Sequence, residues 1–501
     1  MKSNSGSVLG GIVVFGAALR LYGLGEQSLW SDEIASVFLA GSSLPESLAR
    51  VQLDVHPPLY FYLLSLWSAA FGTSEIALRL PSALAGTLAI ALVFRVGSRL
   101  FGSRAGLAAA VLMALSTVEI YYSQEVRSYA FLVLFGLLSM DALTAGWLSG
   151  ARRHFVYYAL ATTLVIYVHY FGFLLVLAQG VGLGLAWLLT PRDPNESRNR
   201  LDFPIASAII ALLAVALSFA PWFPVLLAQS GAVGSGFWIE SIRPLDPLRT
   251  LAIFASLQRP PWGWLIAWPE IAKVFAVLAI GFGLLSLPGK GAWFPGADPE
   301  AGVRKPGSGA ARIAFVLAWL VVPGLAAFAA SWAGSHAYTH RNLLVSSPAL
   351  FLLLGALFRA LPGRFGPSLL AAAAVAPTLV LYPWYYGEPH KGQWREMTAS
   401  VSALAGPGDG WVFDAPFIQR NFEFYRGEAP YRFVDLRERS QPTTERIWLV
   451  RDEGRNSGEL VPKRLAAFGY RLAERRDFRG VDAWLYERAH APGAPGSRDA
   501  P

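Results

Sequence analysis

The sequence predicts an all-α, multi-pass membrane protein with a small α/β domain at its C-terminal end, and three observations lead there. Apolar residues fill 54% of the 501 positions and charged residues only 15%. The apolar residues come in long blocks, not in the short alternating runs of a water-soluble core. Near residue 388 this pattern stops and mixed charge begins. The chain has no cysteine, which removes disulfide and thiolate chemistry from consideration. A net charge of +8 would suit a nucleic-acid binder. In so apolar a chain, however, an excess of Lys and Arg reports loop orientation, and no nucleic acid partner is expected.

Windows of roughly 17–25 mostly apolar residues are long enough to cross the hydrocarbon as helices, and about eleven occur here. They lie near 8–24, 81–101, 105–122, 127–148, 154–169, 170–189, 203–228, 265–287, 312–333, 342–361 and 367–386. The fifth and sixth abut at His169-Tyr170 with almost no loop between them. The first reads as a retained signal anchor, because carboxylates follow it with no small-residue cleavage site. With the N-terminus inside, alternate loops carry Lys2, then Arg95, Arg99 and Arg104, then Arg152 and Arg153, then Arg192, Arg198 and Arg200, then Lys290, Arg304, Lys305 and Arg312, then Arg359 and Arg364. The opposite loops hold roughly half as many, so the basic side is assigned to the cytoplasm and the C-terminal segment to the outside.

Three stretches between spans stand out. Residues 25–80 form a first external loop with helical windows at 33–42 and 59–71, the second apolar enough to lie at the membrane surface. Residues 229–264, rich in Trp, Pro and Gly, suit a lid or an acceptor-binding surface, and 288–311 reads as an internal linker. The membrane module therefore covers 1–387. Beyond it, the β-like runs "WVFD", "YRFVDL", "RIWLVRD" and "DAWLYER" alternate with helical "WREMTASVSALA" and "ELVPKRLAAFG", giving an external α/β domain over 388–488. Its Asp and Glu read as a solvated surface. Residues 489–501 have the composition of a disordered tail.

Ionisable groups close to a membrane are costly and tend to be kept for a function or a partner. Those predicted at the outer face are Arg20, Asp32, Glu33, Asp54, His56, Arg79, Glu119, Glu125, Arg127, His169, His336, His340 and Arg341. All fall on one side, whereas a transporter would place such groups near the midplane. An external active site reached by a lipid fits this better than the two competing classes, a transporter or flippase for lipid-linked substrates and a non-catalytic envelope assembly factor.

Individual positions carry two readings each. Asp32 and Glu33, in "WSDE", appear as soon as the first apolar run ends. A carboxylate there can take a proton from an incoming hydroxyl, and Asp is equally a favoured N-cap for a helix starting at Glu33. Helical neighbours diverge by about 100°, so Glu33 points elsewhere and could orient the loop or bind a partner arginine. His56 precedes Pro57-Pro58, which stiffen the backbone and can hold the imidazole beside a phosphate or a metal, or simply make a turn. Glu125 and Arg127, in "YSQEVRSYAF", can bind a ligand or clamp one another. Arg341 can grip a phosphate through two parallel hydrogen bonds or anchor a helix end. His169, His336 and His340 lack tight ligand spacing, so no metal is assigned. Tyr60, Tyr62, Tyr121, Tyr122 and Tyr129 can pack around a lipid or sugar or form an interfacial aromatic belt.

In order along about 1–385, the blocks "RLYGLGEQSLWSDE", "DVHPPLYFYLLSLWSAAFGTSEIALRLPSALAGTLAIALVF", "YYSQEVRSYAF" and "HRNLLVSSPALFLLLGA" resemble those of the bacterial protein-mannosyltransferase-like glycosyltransferases of the GT-C superfamily. That group is related to eukaryotic protein O-mannosyltransferases and to the lipid A aminoarabinose transferases. The resemblance implies an inverting transferase in a bacterial cytoplasmic membrane. It would move a sugar from a polyprenyl-phosphate donor to a hydroxyl of a glycan, lipid or protein acceptor on the extracytoplasmic side. It further implies Asp32 as general base, Glu33 and Glu125 as supporting acids, and His56, Arg127 and Arg341 at the donor phosphate. Tyr60, Tyr122, Tyr129, His169 and His340 would line the substrate. Some members use a divalent ion and others do not, which leaves a metal open. The sequence departs from the pattern at His56, where the aminoarabinose group has lysine, and at Asn342, where the "RY" block has an aromatic residue.

Overall fold

The structure, a computed structural model, describes residues 2–190, 205–232, 242–255, 309–334, 337–360, 379, 381–427, 429–436, 442–453 and 458–489. The chain forms two compact units, one of Met1–Leu24 and Leu39–Trp384, the other of Gly25–Phe38 and Tyr385–Pro501. The start of the first inter-span loop, assigned from sequence to the membrane module, thus groups with the C-terminal domain.

In the first unit, α1 (Lys2–Leu21), α5 (Glu75–Phe101), α8 (Tyr129–Ser149), α9 (Arg153–Val168), α10 (Gly172–Leu189), α11 (Ile205–Phe219), α12 (Phe223–Ala232), α14 (Gly309–Trp332) and α15 (Ser347–Ala360) fall on predicted windows. The window 265–287 lies outside the described residues, as do His336, most of 288–311 and most of 367–386. Shorter helices α3 (Leu44–Gln52), α4 (Leu59–Phe71) and α13 (Asp246–Ala255) complete the described part of the unit, and α2 (Ser31–Ala40) runs into it from the second. Among the described residues five helices are long and apolar enough to cross a membrane, or six if one bent pair counts as a single span. The expected count of eleven is not reached by this measure, partly because Ser5–Leu21 and Leu344–Arg359 are apolar but short.

Lipid supplies little hydrophobic drive between helices, so small residues that let backbones approach do the packing. A Cβ on Gly355 would lie 2.4 Å from the carbonyl oxygen of Ala105, and one on Gly106 would lie 2.6 Å from that of Phe94. These contacts seat α15 and α5 directly against α6 (Ser103–Leu115).

The predicted span 105–122 is in fact two helices, α6 and α7 (Thr117–Ser123), bent by 60° at Ser116. A break leaves the last carbonyls of α6 without helical partners, and in hydrocarbon these must be satisfied by other groups. Arg20, fully buried, donates to the carbonyls of Met113 (3.1 Å) and Ala114 (3.2 Å), and the Tyr382 hydroxyl donates to that of Leu115 (2.8 Å). The Arg20 Nε also donates to Ser123 Oγ at 3.2 Å. The end of α1 is closed in turn by Gln124, whose Nε2 reaches the Arg20 and Tyr22 carbonyls, and by Arg79, which donates to Leu24. At the far end of α5, Arg312 donates to the Leu100 carbonyl and Arg359 to that of Phe101, while Arg95 and Arg99 pair with Asp141 of α8. Arg312 and Arg359, expected as loop charges, are therefore helix caps.

The second unit is built on a five-stranded sheet of order β2-β1-β3-β5-β4, with β1 (Gly410–Phe413), β2 (Arg432–Phe433), β3 (Arg446–Asp452), β4 (Tyr470–Phe478) and β5 (Val481–Arg488). β1 runs parallel to β2 and β3, and β5 runs antiparallel to both of its neighbours, β3 and β4. Alternate residues point to opposite faces. Trp411, Trp448, Val450, Ala483 and Leu485 pack with Trp394, Met397 and Val401 of α16 (Trp394–Leu404) and Ile418 and Phe422 of α17 (Pro416–Arg426). Val412, Ile447, Leu449 and Tyr486 pack on the other face with Leu465 of α18 (Leu460–Ala467). Burial on both sides makes the middle of β3 a continuous apolar run, which is why it reads so clearly from sequence.

Candidate functional site

The loop Asp54-Val55-His56-Pro57-Pro58 leaves α3 and enters α4 with Pro58 as the residue before the first turn. Its backbone is held from α12, where Gln229 Nε2 donates to the carbonyls of Val51 (2.8 Å) and His56 (3.3 Å). Gln229 is itself fixed by the Tyr170 hydroxyl, which accepts from Trp222 Nε1 at 2.8 Å. With the backbone held and the two prolines fixing φ, the His56 ring has little room to move.

His56 stands between two charged groups. Its Nδ1 lies 2.6 Å from Asp54 Oδ2, and its Nε2 lies 3.3 Å from Arg127 Nη2. A guanidinium only donates, so Nε2 accepts and the ring proton sits on Nδ1, donated to Asp54. Burial acts to raise the Asp54 carboxyl, but His56 and then Arg127 more than offset it and hold it below the ordinary range. Asp54 was counted from sequence among the outer-face polar groups but given no role. Gln229 carries a weaker signal in the sequence, an amide ending the apolar run "FPVLLAQ".

Arg127 sits in the turn between α7 and α8, its carbonyl accepting from Ser82 Oγ and its guanidinium lying 5.6 Å from the Tyr129 ring centroid. Glu125 is buried in the same turn. Tyr129 opens α8 and stacks edgewise on Tyr122 at 5.0 Å, and its ring lies 5.8 Å from His169 in the α9–α10 turn. The His169 and His56 rings are 6.2 Å apart. From the loop between α14 and α15, His340 Nε2 meets the Tyr122 hydroxyl at 3.1 Å. That loop is pinned by Tyr338, which donates to Thr250, and by Ser331, which accepts two of its backbone N–H groups.

Electrostatics divides these residues into two kinds. Burial first, and then the positive charge of neighbours including Arg127 and Arg341, hold His169 well below the ordinary histidine range. Burial and Arg341 push His340 down to about 4. Both imidazoles are therefore neutral near pH 7, and the permanent cations of the cluster are Arg127 and Arg341, each within electrostatic reach of His169. Guanidiniums can hold an anion through paired hydrogen bonds, and both of these act on the same buried histidine. Among the described residues no group of three or more His, Asp and Glu could hold a metal ion.

Of the residues predicted to line a substrate, Tyr122, Tyr129, His169 and His340 join this cluster, while Tyr60 packs edgewise on Phe61 and Phe131. Arg20 and Arg79 are backbone caps, and Glu119, which accepts from Ser347, lies buried with them.

Asp32 and Glu33 belong to the second unit. The helix that carries them starts at Ser31, two residues earlier than expected, so Asp32 sits in the first turn and is not the cap. Glu33 closes that turn instead: one carboxylate oxygen accepts the Trp30 N–H at 3.2 Å and the other pairs with Lys391 Nζ at 3.1 Å. Glu33 is completely buried, whereas Asp32 is partly exposed.

The fold is similar to that of two solved structures. ArnT from Cupriavidus metallidurans, in a crystal structure with bound undecaprenyl phosphate, superimposes with a TM-score of 0.56 at 13% identity, covering 97% of this chain and 99% of that one. The archaeal oligosaccharyltransferase AglB from Archaeoglobus fulgidus, in complex with an inhibitory peptide and a dolichol-phosphate, gives 0.51 at 14% identity, covering 100% of this chain and 75% of that one. Residues 55–222 match the family model described as dolichyl-phosphate-mannose-protein mannosyltransferase, a stretch that holds His56, Tyr122, Glu125, Arg127, Tyr129 and His169. No curated protein matches the chain at the level of sequence.

Proposed function

We propose that this protein is an integral membrane glycosyltransferase that moves a sugar from a polyprenyl-phosphate donor to an acceptor hydroxyl, with inversion, on the extracytoplasmic side of a bacterial cytoplasmic membrane. The observation that carries this reading is the convergence of His56, Arg127 and Arg341 with two neutral histidines, most of it inside the stretch that matches the mannosyltransferase model. The lipid phosphates named for ArnT and AglB support the choice of donor. Arg95 and Arg99 support the orientation, since they pair with a carboxylate at the other end of α8 from the cluster. That carboxylate, Asp141, is twelve residues along α8 from Tyr129, about 18 Å at the helical rise.

In this reading Arg127 and Arg341 neutralise the donor phosphate, and His56, fixed by Asp54, adds a third contact. Asp32 takes the proton from the acceptor hydroxyl as its oxygen bonds to the anomeric carbon. The bond from that carbon to the phosphate oxygen breaks, its electron pair leaves with the polyprenyl phosphate, and the guanidiniums stabilise the departing charge. The proton passes from Asp32 to solvent.

Purified protein supplied with radiolabelled undecaprenyl phosphate mannose and a cell-envelope extract tests the reading. Labelled product that disappears in Asp32→Asn supports it. Lipid movement with no glycosidic product would point to transport instead.

A further inference from the structure

We propose that Lys391 and Asn421, in the C-terminal α/β domain, are positioning residues for Asp32, so that this domain is a holder for the acidic loop. The inference rests on the reading of Asp32 as the base. Neither residue carries a sequence signal, and both lie far along the chain from the helix they grip.

The residues on either side of Asp32 are both fastened to the domain. On one side, Asn421 Nδ2 of α17 donates to Ser31 Oγ at 2.8 Å, and Asn421 is 1% exposed. On the other, Lys391 Nζ pairs with the fully buried Glu33 at 3.1 Å. Two anchors around one residue fix both the position of its Cα and the rotation of the helix about its axis. The approach to the helix is held as well: the Gln27 side-chain oxygen accepts from the backbone N–H groups of His390 and Lys391, Ser28 Oγ donates to the Gly392 carbonyl, and the Leu29 N–H donates to the Tyr425 hydroxyl. Past the helix's first turns, the Arg420 guanidinium lies 3.7 Å from the Phe38 ring centroid.

Stability alone is a poor reason for the Lys391 pair. Taking both charges out of water carries a desolvation cost that their attraction offsets only when geometry is good, and apolar replacements are often as stable. What an apolar pair cannot supply is a directional contact at Glu33, one that stops α2 turning and carrying Asp32 away. A misplacement of about 1 Å at a reacting group can cost on the order of a hundredfold in rate.

The test uses the full-length protein with radiolabelled undecaprenyl phosphate mannose and hydrogen–deuterium exchange over residues 30–36. Lys391→Met is expected to raise exchange in that segment and to lower kcat by about 10²-fold with the donor KM unchanged. Lys391→Arg should restore most of the rate. Asn421→Ala, which removes one hydrogen bond and no charge, serves as the second variant if Lys391→Met does not fold; it should give the same split, and Ser31→Ala added to it should cost nothing more. Unchanged exchange, or unchanged kcat in both Lys391→Met and Asn421→Ala, overturns the proposal. Full turnover in Asp32→Asn would instead overturn the reading of Asp32 as base, and the exchange result stands apart from it.

Discussion

His56 accepts a hydrogen bond from Arg127 across 3.3 Å while Asp54 takes the proton on its other nitrogen at 2.6 Å, which leaves the ring one orientation and one tautomer. Asp54→Ala removes the orienting partner and is expected to weaken undecaprenyl phosphate binding about tenfold, the worth of one hydrogen bond to a charged group. Asp54→Asn keeps an oxygen that can accept the same N–H and should bind nearly as well. Isothermal titration of the three proteins in detergent checks this, and an Asn variant as weak as the Ala variant would shift the role of Asp54 from orientation to charge.

Arg127 and Arg341 are the cations left once His169 and His340 are neutral, so charge alone does not describe their task. Arg127→Lys keeps the charge but loses the planar fork and the hydrogen bond to His56. Its donor affinity should fall nearly as far as that of Arg127→Ala. Arg341→Ala should raise the donor KM more than it lowers kcat. Unchanged donor affinity in the Arg341 variant would remove it from the phosphate site.

The helix-capping role of Arg20 gives a stability prediction. Arg20→Met leaves the carbonyls of Met113 and Ala114 without a donor inside the membrane and should destabilise the protein by about 2–6 kcal/mol, at roughly 1–3 per buried unsatisfied group. Gly86→Ala reaches the same place by another route, because its Cβ would lie 2.0 Å from Ser123 Oγ and 3.1 Å from Arg20 Nε. Thermal unfolding in detergent should show both variants melting below the parent, with the double variant no worse than the sum.

These capping contacts mark where sequence reading stops. Hydropathy locates α5, α8 and α10 because their apolar blocks are long, and the His-Pro-Pro and Glu-Val-Arg stretches stand out because charge next to such blocks is costly. The bend at Ser116 leaves no mark on hydropathy, since the side chains stay apolar and only backbone carbonyls change partner. Arg20 was visible, but as a polar group at an outer face, and nothing local says that its ligands are carbonyls more than ninety residues away. β4 is missed for a different reason: "YRLAERRDF" is a charged edge strand with a bulge between Leu472 and Glu474, a pattern that protects an edge from pairing and reads as loop. Lys391 is 358 positions from Glu33, and with one sequence no spacing rule links them.

Asp482 carries the one pH-dependent stability prediction. It faces Asp477 directly across the β4–β5 pair, and Glu453 adds a third carboxylate while accepting the Gly480 N–H at 3.2 Å. Burial first, then Asp477 and Glu453, raise its carboxyl from 3.8 to about 6, against the smaller pull of Arg451 and Arg475. A group whose pKa is higher in the folded state holds its proton there after the unfolded chain has released it. Folding therefore loses stability as pH rises from about 4 to about 6, and the loss is constant above that window. Asp482→Asn cannot ionise and should escape the loss. Its melting temperature should exceed the parent's at about pH 8 and match it at about pH 4, the two ends of that linkage. A stabilisation of equal size at both ends would mean that the gain comes from packing and not from the relief of buried charge.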